Sequence, residues 1–129
     1  MKRIRVLIVE DSPVVAEHLR RIVAADGRFE VVGVVGSGEE AVDVVEPLAP
    51  DVITMDIHLP GMDGLSVVRQ MKQNDNTRSI PVLALTAHAM RGDRDRFLEA
   101  GCDGYISKPI DVKTFIPSLQ RYLGLDAQQ

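Results

Sequence analysis

The chain has 129 residues, 45% of them hydrophobic, 26% charged and 4% aromatic, which suits one soluble domain with an aliphatic core and leaves little room for two. Its formal net charge of −4 argues against a nucleic-acid partner, because phosphate binding needs a clustered excess of Lys and Arg. The single cysteine, Cys102, excludes an intrachain disulfide, and no apolar stretch reaches membrane-spanning length, so the expected setting is the cytoplasm with no membrane contact.

The first apolar run, Ile4–Val9, has strand length and leads into Glu10 and Asp11. Val15, Leu19, Ile22 and Val23 then share one helical face, with Ser12 as N-cap and Pro13 at the first helical position, where its missing N–H is not needed. A second strand is read over Phe29–Val35. Ala41, Val44, Val45 and Leu48 repeat the helical spacing, and Pro47 is expected to end or kink that helix early. A third strand over residues 52–55 precedes a helix marked by Leu65, Val68 and Met71. A fourth over residues 82–85 precedes a weaker helix over residues 90–100, where Gly92 and a sparse apolar face mark the segment most prone to move. The run Arg91-Gly92-Asp93-Arg94-Asp95-Arg96 mixes signs and reads as a solvated helix face. The fifth strand is Gly104–Ser107. Its helix carries Val112, Phe115, Ile116 and Leu119, with Pro117 predicting a kink or a late start.

Val- and Ile-rich strands in strict alternation with helices imply a parallel sheet covered on both faces. Right-handed crossovers leave few topologies, and the order 2-1-3-4-5 is the common one at this size. Every strand of such a sheet ends on the same edge, where ligands bind. Glu10 and Asp11, Asp56, Thr86 and Lys108 follow or close strands one, three, four and five, so three carboxylates, a hydroxyl and an ammonium should converge. Two carboxylates about 5 Å apart repel by roughly 3 kcal/mol at an effective dielectric near 20. A hard divalent cation would relieve that repulsion. Mg²⁺ suits oxygen donors better than Zn²⁺, for which the cluster offers no paired Cys or His. A carboxylate so placed can be a nucleophile toward phosphorus, with Thr86 and Lys108 neutralising the moving group. Asp56, on the central strand, is the candidate nucleophile.

These residues resemble the receiver domain of two-component response regulators over residues 4 to 123, with 124–129 as a short tail. The match lies in Val9-Glu10-Asp11, in Met55-Asp56-Ile57-His58-Leu59-Pro60-Gly61-Met62-Asp63-Gly64, in Leu85-Thr86-Ala87 and in Lys108-Pro109. The resemblance implies a flavodoxin-like (βα)5 doubly wound domain with Asp56 as phosphoacceptor. It implies a metal site of Glu10, Asp11, Asp56 and the His58 backbone carbonyl, holding Mg²⁺ with Mn²⁺ able to substitute. Lys108 would pair with the phosphoryl group across a bond to Pro109 similar to one that is cis in the family. Thr86 would swing toward the phosphoryl oxygens and Tyr105 would rotate inward behind it, although an aromatic at a strand end also serves as plain core edge. Pro60 and Gly61 shape the loop, and Gly64 opens the third helix. The implied donor is the phosphohistidine of a sensor histidine kinase or phosphotransfer protein, with small acyl phosphates as substitutes. The implied readout face is the fourth helix, fifth strand and fifth helix, offered to a downstream protein or to a second copy of the chain. The product is a stoichiometric switch that catalyses its own phosphotransfer and dephosphorylation, not a turnover enzyme. With nothing beyond Leu123 large enough for an effector, either its output is protein binding or the chain is a fragment.

Residues up to about Met71 resemble the receiver of a chemotaxis methylesterase, and those from Ile80 onward resemble single-domain or hybrid-kinase receivers. Two histidines, His58 and His88, occupy positions that vary in the family. They are either exposed loop residues or groups that tune the lifetime of the acyl phosphate. Cys102 reads as a packing residue and His18 as a surface residue. A phosphatase with an Asp nucleophile and Mg²⁺ would carry a second Asp where this chain has His58, and would need more chain for a cap. A flavodoxin-like electron carrier would need a phosphate loop where this chain has Glu10-Asp11-Ser12-Pro13.

Overall fold

A computed structural model of the chain describes residues 2–87 and 93–124. The expected alternation is present throughout. In chain order the elements are β1 (Ile4–Val9), α1 (Pro13–Ala24), β2 (Phe29–Val35), α2 (Gly38–Leu48) and β3 (Val52–Asp56), then α3 (Gly64–Gln73), β4 (Val82–Thr86), α4 (Asp93–Ala100), β5 (Gly104–Ser107) and α5 (Val112–Tyr122). The five strands pair in parallel in the order β2-β1-β3-β4-β5.

Alternation along each strand sends side chains into two separate cores. Leu7 and Val9 of β1, Ile53 and Met55 of β3 and Val82 and Ala84 of β4 meet Val45, Val68, Met71 and Phe97 from α2, α3 and α4. Val6, Ile8, Val52, Leu83 and Leu85 meet Leu19, Val23, Phe115 and Leu119 from α1 and α5. Burying β1, β3 and β4 on both faces is what a Val- and Ile-rich strand without polar alternation requires. Cys102 joins the first core at 4% exposure, so it is the packing residue its surroundings suggested.

The helix ends follow local chemistry. Ser12 accepts the Val15 N–H at 3.3 Å ahead of Pro13. Pro47 sits one residue before the end of α2. The Leu48 and Ala49 carbonyls there find a donor in the Arg5 guanidinium, at 2.5 and 2.8 Å. Of the two effects expected of Pro117, the late start is absent: α5 begins at Val112 with Asp111 as its cap, accepting the Lys113 N–H at 2.8 Å. Pro117 and Lys113 are both exposed, so the carbonyl that the proline leaves unbonded faces water instead of the core. The predicted start of the fourth helix near Met90, together with His88, Arg91 and Gly92, lies outside the described residues.

Candidate functional site

Parallel pairing brings the ends of β1, β3, β4 and β5 to one edge, and the register puts Asp56 beside Leu85 and Thr86 beside Ser107. Asp56 closes β3 at 2% exposure, and Glu10, one residue past β1, is 3% exposed. Asp11 is exposed. One carboxylate oxygen from each of Glu10, Asp11 and Asp56 lies within 4.8 Å of the others.

Lys108, in the loop after β5, reaches back into this cluster. Its Nζ is 3.0 Å from Glu10 Oε1 and 3.5 Å from Asp56 Oδ1. The Lys108 N–H donates to the Thr86 carbonyl at 2.8 Å, and the Lys108–Pro109 peptide bond is cis, as the resemblance implied. Thr86 itself is buried at the end of β4.

The site holds its carboxylates with backbone donors. The His58 N–H donates to Asp56 Oδ1 at 3.0 Å, and the Ser12 N–H donates to Glu10 Oε2 at 3.2 Å. The loop returns to α3 across very little space, because a Cβ on Gly64 would lie 2.4 Å from the Asp56 carbonyl oxygen. Burial pushes the Asp56 carboxyl above its ordinary range, and the neighbouring Glu10 charge adds to that rise. The His58 N–H and the Lys108 ammonium act in the opposite sense.

Three carboxylates against one ammonium leave two negative charges uncompensated. Glu10 Oε1 is buried and meets the Lys108 ammonium at 3.0 Å. Oxygen donors and excess negative charge together fit a hard divalent cation such as Mg²⁺.

Glu10, Asp11, Asp56 and Lys108 are thus brought together, with Thr86 on the adjoining strand end. Tyr105 is half-buried on β5, its ring 5.8 Å from that of Phe97 in an edge-on arrangement. His58 is exposed. Sequence reasoning named the His58 carbonyl and missed its N–H, whose bond to Asp56 appears only once the loop is folded. It also missed the Glu10–Lys108 pair. An acid and a lysine at two strand ends were the available signal, but they do not say which acid the lysine meets.

Residues 6–120 match the response regulator receiver domain family. The polar-differentiation response regulator DivK of Brucella anthropi is 44% identical over 119 residues, covering 92% of this chain and 95% of that protein. Among solved structures, the receiver domain of a sensor histidine kinase from Pseudomonas aeruginosa superposes with a TM-score of 0.85 at 36% identity, covering 95% of this chain and 99% of that one. That structure carries a magnesium ion coordinated in its active site cleft. The receiver domain of a signal transduction histidine kinase from Syntrophus aciditrophicus gives a TM-score of 0.81 at 35% identity, covering 97% and 93% of the two chains.

Proposed function

The chain belongs to the response regulator receiver family, and from that premise we propose that it is a phosphorylation switch whose phosphoacceptor is Asp56. The observation that carries this assignment is the position of Asp56, buried at a strand end with two other carboxylates within 4.8 Å and the Lys108 ammonium at 3.5 Å.

Asp56 attacks the phosphorus of a phosphohistidine on a sensor histidine kinase or phosphotransfer protein, or of a small acyl phosphate. A bond forms from the carboxylate oxygen to phosphorus as the bond to the donor breaks, and the leaving imidazole or acyl group takes the electron pair. Lys108 neutralises charge on the phosphoryl oxygens, and the Thr86 hydroxyl donates to one of them. Glu10, Asp11, Asp56 and the His58 carbonyl would hold Mg²⁺, with Mn²⁺ as a substitute, supplying further charge neutralisation when bound. The same groups support the reverse chemistry, attack of water on the acyl phosphate, so the chain regulates its own dephosphorylation.

The readout face is α4, β5 and α5. Arg94, Leu98, Tyr105, Ser107, Arg121 and Tyr122 border a hollow of about 400 Å³ there, and Ser107 lies beside Thr86 in the strand register. Movement of Thr86 toward the phosphoryl group vacates space that Tyr105 fills, shifting a two-state equilibrium at this surface. A downstream protein, or a second copy of the chain, binds the shifted face. The receiver comprises residues 1–123, and its setting is the cytoplasm. Among the described residues no helix is long and apolar enough to cross a membrane.

Borohydride reduction of the phosphorylated chain, followed by peptide mapping, tests the assignment. Conversion at position 56 alone is the expected result. Conversion at Asp11 or Glu10 would displace Asp56 from its role.

A further inference from the structure

The loop that carries the His58 carbonyl, residues 57–63, is anchored at two ends by unrelated means. At the near end, the His58 N–H is bound to Asp56, the Ile57 N–H donates to the Leu85 carbonyl at 3.1 Å, and the Gly64 N–H donates to the Ile57 carbonyl at 3.1 Å. These contacts belong to the site and to the sheet. At the far end the loop leans on α2. The Met62 N–H donates to Glu39 Oε2 at 3.3 Å.

The approach is close enough to restrict the residues on both sides. A Cβ on Gly38 would lie 2.4 Å from the Met62 carbonyl oxygen. A Cβ on Gly61 would lie 2.9 Å from Glu39 Oε2, and Gly61 also has φ of +72°, a conformation that L side chains seldom adopt. Glu39 lies in the first turn of α2, behind the Ser37 cap. There its carboxylate oxygen is the acceptor that the loop backbone meets.

We propose that Glu39 is a positioning residue for the metal site, its carboxylate holding the Met62 N–H so that the far end of the loop is fixed and the His58 carbonyl stays aimed at the cation. The inference rests on the metal ligation proposed above. Glu39 touches neither the cation nor the phosphoryl group. It acts through four residues of backbone, as outer-shell partners of a metal site commonly do.

Isothermal titration of Mg²⁺ into the wild-type chain, Glu39→Ala and Glu39→Gln separates the possibilities. Loss of the acceptor in Glu39→Ala should weaken Mg²⁺ binding by roughly tenfold, the low end of the range for outer-shell partners. Glu39→Gln keeps an acceptor oxygen and should stay within about twofold of wild type, since the contact and not the charge is what matters. Unchanged affinity in Glu39→Ala would overturn the proposal. So would Glu39→Gln falling as far as Glu39→Ala, which would make the effect one of long-range charge. A wild-type chain that binds no Mg²⁺ would instead overturn the metal site itself, and this inference with it.

Discussion

Glu10 and Lys108 form an ion pair at 3.0 Å, with the carboxylate side chain 1% exposed and the lysine 20% exposed. The pair spans the end of β1 and the loop after β5, and in the metal-free chain it offsets part of the carboxylate repulsion. Removing one member of such a pair leaves a buried charge without compensation. Lys108→Ala should therefore lower the stability of the metal-free chain by roughly 2–4 kcal/mol, somewhat below the range for fully buried pairs because the lysine is partly solvated. Urea titration in EDTA measures the loss. Added Mg²⁺ should recover more stability in Lys108→Ala than in wild type, since the cation then meets less positive charge.

The Asp56 carboxyl makes an opposite prediction. Its proton is held more tightly in the folded chain than in the unfolded one, chiefly through burial and then through Glu10. A raised folded value means that this group's contribution to stability is present below the unfolded value near 3.8 and is lost as pH rises through the folded value. Above the folded value the ionised Asp56 destabilises the metal-free fold. Asp56→Asn should raise the unfolding midpoint in EDTA, and its advantage over wild type should grow as pH rises above 4. Saturating Mg²⁺ should shrink or reverse the gap.

Thr54 lies in the middle of β3 at 0% exposure, and its Oγ1 has no hydrogen-bond partner among the described residues. An isosteric Val removes the unsatisfied hydroxyl without opening a cavity. Thr54→Val should stabilise the chain by about 1 kcal/mol, read as a shift in urea midpoint with an unchanged slope.

Cys102 should be inert in the folded chain. Burial pushes its thiol up to about 11, with the Asp103 charge adding to the rise. Alkylation by iodoacetamide near pH 8 should follow global unfolding, slow in buffer and fast in denaturant. The same shift makes the thiol's contribution to stability present below the unfolded value of 9.0 and lost as pH rises toward about 11.

The strand ends were legible because a parallel sheet places every C-terminus on one edge, so Glu10, Asp11, Asp56, Thr86 and Lys108 could be grouped from position alone. Their identities then named the chemistry. The partners that hold them were not legible. The His58 N–H on Asp56 and the Met62 N–H on Glu39 are backbone donors, which carry no sequence signature. The pairing of Lys108 with Glu10 depends on side-chain reach across the width of three strands. Of the two effects expected of Pro117, a kink or a late start, the late start is absent, and an interior proline costs less where the freed carbonyl is not buried. Here that carbonyl belongs to Lys113 on the exposed face.

The central claim, that Asp56 accepts a phosphoryl group with help from a divalent cation, is tested most directly by the intact mass of the chain after incubation with acetyl phosphate and Mg²⁺. Wild type, Asp56→Asn and an EDTA control are run together. A single phosphoryl adduct on wild type, absent from Asp56→Asn and from the EDTA sample, is the predicted result. An adduct that persists in Asp56→Asn, or that forms equally well in EDTA, would contradict the account.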